Sequence, residues 1–390
     1  MSIGQNEGGP PGRHPVSGAQ TMIIDSIEAV PLRIPLSRDF GGSVYTVTSR
    51  CTVVTRLQVR DGPLAEIYNG DNRSHGVGIA SLINDRLAPL VTGGDVRDWQ
   101  RHAARLEAEI PGAAMSPELM MQAIACVDCA IWDAAARCYE TSVSRLLGGY
   151  RREMPIISIG GYYQDGKTAS DLAREMRLLR DRGMAGCKVK VGGMSPQEDA
   201  ERVRAARDGA GPDFMLAVDA NRGWSWRDAA RFAGLVEHLD IAWFEEPCHW
   251  FDDIDGMREL RGRTSIPINA GQSEITGQAM RRLINSGAVD MVNNDASESG
   301  GVSGWLRVAG LARLAGLTMT HHEEPQIALH LLAAHPHGYC VECFADPERD
   351  PLWNGMLSTG PEIGDGVIRL VGEAGFGVTI DPDAVTRYRI

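Results

Sequence analysis

Two lysines at alternate positions of an apolar run, Gly186-Cys187-Lys188-Val189-Lys190-Val191, are the first residues that could do chemistry. In a strand both side chains fall on one face, and such a pair is ordinarily a solvated edge. Turned inward at a strand end, the two ammonium groups crowd each other, which lowers a lysine pKa towards the range of a general base. Acidic residues and histidines recur at the ends of later strand-like runs. They are Asp219, Glu245 with Glu246, Gln272 and Glu274, Asp295, His321 with His322, and Glu342. Singly, each has a plain reading: Asp219 as a helix cap, Glu342 paired with an arginine, His322 as a satisfied histidine. Convergence on the same end of successive strands is harder to explain by structure alone. Oxygen ligands on consecutive strands suit Mg²⁺, with Mn²⁺ as a substitute. A lysine on one side, a His with an Asp partner on the other and a magnesium site between them suggest proton abstraction from carbon next to a carboxylate.

The elements that must position these groups follow from the rhythm of the chain. Runs at Ile156–Gly160, Gly186–Val191, Met215–Asp219, Ile241–Glu245, Ile266–Ala270, Val289–Asn293, Leu317–His321 and Tyr339–Phe344 read as strands. Amphipathic, charged segments such as Ser170–Arg182 and Ser195–Asp208 separate them. Eight such units without a Gly-rich dinucleotide turn favour a parallel β/α barrel over a doubly wound sheet. Before them, Ile23–Val30 and Cys51–Val59 read as strands around a Gly-punctuated loop, Arg38–Tyr45, and Asp61-Gly62 as a hairpin turn. Residues 76–147 read as helices, one opened by Ser116-Pro117. The expected organisation is a disordered tail over 1–21, an α+β capping domain over 22–150, a barrel over 151–358, and a segment over 359–390 returning to the capping domain.

Composition narrows the function. A net charge of −12 argues against nucleic acid and anionic membranes. No stretch reads as long and apolar enough to span a bilayer, and the N-terminus lacks a signal-peptide core. Cys126/Cys129 and Cys340/Cys343 have zinc-like spacing, but they fall in an Ala-rich helix and a strand, where they read as small core residues. A reduced, cytoplasmic setting fits.

With these motifs in place, the chain after residue 21 resembles the enolase superfamily, in its mandelate racemase-like subgroup. Lys188-Val189-Lys190 matches the K-x-K motif, Asp219-Ala220-Asn221 the third-strand ligand, and Trp243-Phe244-Glu245-Glu246-Pro247 the fourth. Val289–Asp295 followed by Gly300-Gly301 matches the sixth-strand Asp, and Ala315–His322 places the catalytic histidine at His322. The resemblance implies a (β/α)7β TIM-like barrel with an α+β capping domain. It implies Lys190 as base on one face of the substrate, and His322, held by Asp295, on the other. Lys188 sits against the substrate carboxylate and depresses the Lys190 pKa, and Glu342 donates a hydrogen bond to that carboxylate. The resemblance further implies Asp219 and Glu245 as metal ligands and Asn221 as a substrate contact. The third ligand in this family is usually a Glu directly after a glycine; here that position is Gln272, and Glu274 is the alternative.

The expected reaction is enediolate formation from an α-hydroxy carboxylate. Polar residues near the expected mouth, Tyr162, Tyr163, Gln164, Glu323, Glu324, Asn72 and Arg73, favour dehydration of a sugar acid; racemisation of a smaller 2-hydroxy acid is the alternative. Tyr45 and Tyr162 are candidate substrate contacts. A Schiff-base aldolase and a non-catalytic ligand-binding barrel are the rival classes. The expected partner is a small carboxylate, with no nucleic acid or membrane, and the chain is expected to form a homo-oligomer.

Overall fold

The computed structural model of the protein describes residues 22–70, 74–112, 116–372 and 374–390. The expected tail over 1–21 and the mouth candidates Asn72 and Arg73 lie outside the described residues.

Three antiparallel strands open the chain: β1 (Ile24–Gly41), β2 (Thr46–Val59) and β3 (Leu64–Asn69). The β2–β3 turn passes through Asp61 at φ 53°. The first two strands run further than the apolar runs suggest and absorb most of the expected Arg38–Tyr45 loop. Phe40 pairs with Val47, and Gly41 exchanges backbone hydrogen bonds with Tyr163 at 3.2 and 2.9 Å. That stitching fixes the hairpin tip to the barrel. Helix Pro117–Cys138 starts where Ser116 accepts the Leu119 N–H at 3.2 Å, with Pro117 in the first turn. By length and composition this helix could cross a bilayer, which corrects the expectation that no stretch qualifies; it is buried in the core, as a soluble-type core helix would be. Cys126 and Cys129 lie inside it, and Cys340 and Cys343 are likewise buried.

Eight parallel strands follow: β4 (Glu153–Gly160), β5 (Gly186–Lys190), β6 (Met215–Asp219), β7 (Ile241–Glu245), β8 (Ile268–Ala270), β9 (Met291–Asn293), β10 (Thr318–Thr320) and β11 (Val341–Cys343). They pair in chain order from β4 to β10, and β11 pairs with β4. Met319 joins β10 to the approach of β11, donating to His337 O at 2.8 Å and accepting from Tyr339 N at 3.0 Å. Capping boxes at Thr168 and Ser195 start the outer helices Ala169–Asp181 and Pro196–Ala210. The register aligns Lys190 with Asp219 and Asp219 with Glu245, so three charged side chains share one face of the sheet in one row.

The C-terminal segment divides. A hairpin, Glu362–Gly364 and Val367–Arg369, adds antiparallel to Glu153–Pro155, the part of β4 that extends beyond its parallel partners. Strand Thr379–Ile380 pairs instead with β12 (Leu357–Thr359). Helix Pro382–Tyr388 leads to Ile390, whose N–H donates to Pro31 O in β1 at 3.1 Å.

Candidate active site

Lys190, at the end of the charged row, lines a cavity of about 590 Å³ between the barrel mouth and the capping domain, a size typical of small-molecule sites. Lys190, Asn221, Gln272, His322 and Tyr45 line it. Lys188, Asp219, Glu245 and Glu342 are fully buried and are tied to the lining through Lys190 and one another. Lys190 Nζ donates to Asp219 Oδ2 at 2.7 Å, and Lys188 Nζ to Glu245 at 2.5 Å and Glu342 at 2.8 Å. Trp243 Nε1 and Asn269 Nδ2 hold the second Glu245 oxygen at 3.0 and 3.3 Å.

The carboxylates decide the charge states. Burial presses the Lys188 ammonium down, and Glu245, Glu342 and Asp219 more than reverse it. Lys190 is likewise raised, Asp219 overcoming burial. Crowding of like charges was expected to lower the Lys190 pKa; the structure corrects this, because the two ammonium groups share three carboxylates. Burial raises Glu245 to about 8 despite Lys188. Asp219 is held low against burial by Lys190 and Lys188.

Across the mouth, His322 Nδ1 donates to Asp295 Oδ2 at 3.0 Å, and its Nε2 stands 3.4 Å from Glu323. Burial opposes the charge on this ring, yet Glu323 and Asp295 bring its pKa up to about 9. His321 is structural: Ala296 N–H donates to its Nε2, so its Nδ1–H donates to His322 O at 2.9 Å. The loops carrying these groups bend through left-handed backbone at Asn221 (φ 42°), Glu246 (φ 39°) and Glu323 (φ 49°), conformations held at a cost of roughly 1–3 kcal/mol each and concentrated at functional sites.

Gln272 and Glu274 part company. Gln272 lines the cavity, bonded to Glu246 at 3.1 Å and Asn293 at 3.4 Å. Glu274 is bound to Arg222 at 3.1 Å, away from the lining. Among the described residues, no trio of His, Cys, Asp or Glu side chains is arranged to hold a metal ion; the third oxygen available here is an amide. The donor set still fits Mg²⁺, since two carboxylates in register and an amide carbonyl offer only oxygen. Among the described residues, the buried Asn221 Oδ1 also has no hydrogen-bond partner.

Several mouth candidates turn out to be scaffolding. Tyr162 does not line the cavity. Its hydroxyl accepts from Arg349 at 3.2 Å and its ring packs on Phe40 and Phe344, although Lys190 Nζ lies 5.8 Å from its centroid. Tyr163 donates to Asp199 at 2.7 Å, Gln164 faces a neighbouring cleft, and Glu324 is buried against Arg50 at 3.5 Å. Their positions just after strand ends suggested the mouth, but aromatic packing and ion pairing claim them. The lining residues Gln122, Glu298 and Arg349 were not foreseen. Gln122 did leave a signal, as a polar residue inside the apolar run that forms the core helix.

A parallel eight-stranded barrel with an α+β cap, and lysine and histidine facing one cavity over a carboxylate floor, is the arrangement of the enolase superfamily. The chain belongs to the mandelate racemase/muconate lactonizing enzyme family: residues 26–148 match its N-terminal domain and residues 171–384 the enolase C-terminal domain-like family. It is 28% identical to L-talarate/galactarate dehydratase of Salmonella typhimurium over 364 residues, covering 92% of this chain and 88% of that one. A crystal structure of a mandelate racemase/muconate lactonizing enzyme superposes with a TM-score of 0.91 at 39% identity, over 95% of this chain and 100% of that one. Another, from a marine actinobacterium in complex with magnesium, gives 0.88 at 37% identity, over 95% and 99%. Curated relatives include dehydratases, cycloisomerases and an epimerase, so the family shows superfamily chemistry and leaves the reaction open.

Proposed function

We propose that the protein is a Mg²⁺-dependent lyase that dehydrates a sugar acid to a 2-keto-3-deoxy acid through an enediolate. The observation that carries this reading is that Lys190 of β5 and His322, two residues past β10, line one cavity, with Lys190 bonded to the buried Asp219 that stands in register with Glu245. Asp219, Glu245 and the Gln272 carbonyl would hold Mg²⁺, which supplies positive charge against the developing enediolate. Lys190 takes the α-proton; the C–H electron pair enters the enediolate. Lys190 can act as base once Asp219 is engaged elsewhere and no longer holds its ammonium form. His322 then donates its proton to the β-hydroxyl as the C–O bond breaks, releasing water, and the enol tautomerises to the ketone. A histidine raised to about 9 is charged at neutral pH and suits the acid role. Lys188 and Glu342 meet the substrate carboxylate, and Asn221, with its unpartnered Oδ1, accepts from a substrate hydroxyl.

The name of the Salmonella relative supports the acid-sugar class. Racemisation is the second reading, supported by the same two bases on one cavity, with reprotonation on the opposite face. An acid-sugar library assayed with semicarbazide, which traps 2-keto acids, separates them. Dehydration gives a semicarbazone. Inversion at the α-carbon with no semicarbazone would replace the proposal with the racemase.

A further inference from the structure

The two sides of the cavity differ in charge. Among the described lining residues the only lysine or arginine side chains are Lys190 and Arg349. Both are committed on the side of Tyr45: Lys190 to Asp219 at 2.7 Å, and Arg349 to the Tyr162 hydroxyl at 3.2 Å with its charge acting on Glu323. The opposite wall is built by the N-terminal turns of helix Pro117–Cys138 and the loop after β9, which contribute Glu118, Gln122 and Glu298. Gln122 Nε2 donates to Glu298 Oε2 at 2.5 Å, and among the described residues this is the only hydrogen bond the Glu298 carboxyl makes.

We infer that this wall reads hydroxyl groups at the far end of a polyhydroxy monocarboxylate and rejects a second carboxylate, so that the substrate class is the aldonates rather than the aldarates. The inference rests on the enediolate reading above, which sets the reacting carboxylate on the floor near Lys188. A hydroxyl both donates and accepts, and carboxyl and amide groups satisfy both roles. Burial and the nearby Asp295 push Glu298 up to about 7, so its carboxyl offers a donor as well as an acceptor around neutral pH. A second carboxylate on the same wall would face the exposed Glu118 and the half-buried Glu298, and beside Glu298 like charges repel more than in water.

The test uses the full-length Mg²⁺-loaded protein with matched pairs, each an aldonate and the aldarate of the same configuration at the shared carbons. Semicarbazone formation gives kcat/KM, and α-proton exchange in D₂O is followed in parallel. The expected result is a preference for the aldonate of at least ~100-fold, the scale on which unpaired or repelled polar groups discriminate. The Glu118→Gln, Glu298→Gln double variant should cut that preference at least ~10-fold, through a higher aldonate KM at similar kcat and a gain in aldarate turnover. An aldarate used as well as its aldonate overturns the inference and leaves the dehydratase reading standing. An unchanged preference in the double variant overturns the assignment to this wall. Neither turnover nor exchange with any pair overturns the enediolate reading, and this inference with it.

Discussion

Two groups of buried carboxylates sit side by side at the ends of β6, β7 and β8, and different cations hold them. Asp219 and Glu245 are bound by Lys190 and Lys188 on the cavity floor. Glu246 and Glu274, one and two positions away from residues of the site, are bound by Arg222 at 3.2 and 3.1 Å, with Asp253 at 3.1 Å and Trp250 stacked 3.8 Å from the guanidinium. β7 ends at Glu245 and the backbone turns left-handed at Glu246 (φ 39°), so the two neighbouring carboxylates reach different cations. The cation then sets the use. A guanidinium engages its partners through a rigid fork and never loses its charge, whereas an ammonium is a movable point charge that can exchange its proton. The lysine group is therefore the reactive one and the arginine group a clamp, and Glu274 belongs to the clamp.

The contrast can be broken in graded ways. Chelation is the most severe: EDTA should reduce turnover to background, and Mg²⁺ or Mn²⁺ should restore it. Turnover that survives thorough chelation would leave the lysine group without its proposed cation. Next is the clamp. Arg222→Met leaves Glu246 and Glu274 buried without a counter-charge, and urea unfolding should show a loss of about 3–5 kcal/mol, with Mg²⁺ affinity kept. A loss below about 1 kcal/mol, the scale of an exposed pair, would show that the clamp is solvated.

A third group, His322 with Asp295 and Glu323, gives a pH signature. Its folded pKa of about 9 lies above the ordinary 6.5, so its stabilisation is complete below about pH 6.5 and is lost as pH rises through about 9. Urea melts should lose up to roughly 3 kcal/mol across that window, and His322→Asn should remove this part of the loss. A wild-type profile identical to that of the variant would refute the pair. The smallest effect separates Gln272 from Glu274. Gln272→Glu should tighten Mg²⁺ about tenfold in calorimetric titration by adding a charge, while Glu274→Gln should leave it unchanged. The reverse ordering would move the third ligand to Glu274.

Much of this was legible before any coordinates. The eight apolar runs carried both strand positions and the end at which polar groups gather, because a strand's period and the barrel's polarity are local properties. Lys190, Asp219, Glu245 and His322 followed from that polarity, and Asn221 from the family resemblance. Tyr162 did not, because whether a ring faces a cavity or packs on Phe40 depends on a hairpin more than a hundred residues earlier in the chain. Charge states were likewise hidden. Lys188 and Lys190 announce two like charges, but only the assembled row shows Asp219, Glu245 and Glu342 outnumbering them. The choice between Gln272 and Glu274 rested on Arg222, which lies on another strand's loop.

The central claim is that Lys190 removes the α-proton and His322 protonates the leaving β-hydroxyl. It is tested most directly by α-proton exchange in D₂O, alongside turnover, in Lys190→Ala and His322→Asn. Each variant should lose turnover by about 10²–10⁴-fold; His322→Asn should still exchange the α-proton through Lys190, and Lys190→Ala should not. Wild-type turnover in either variant, or α-proton exchange in Lys190→Ala equal to that in His322→Asn, would contradict it.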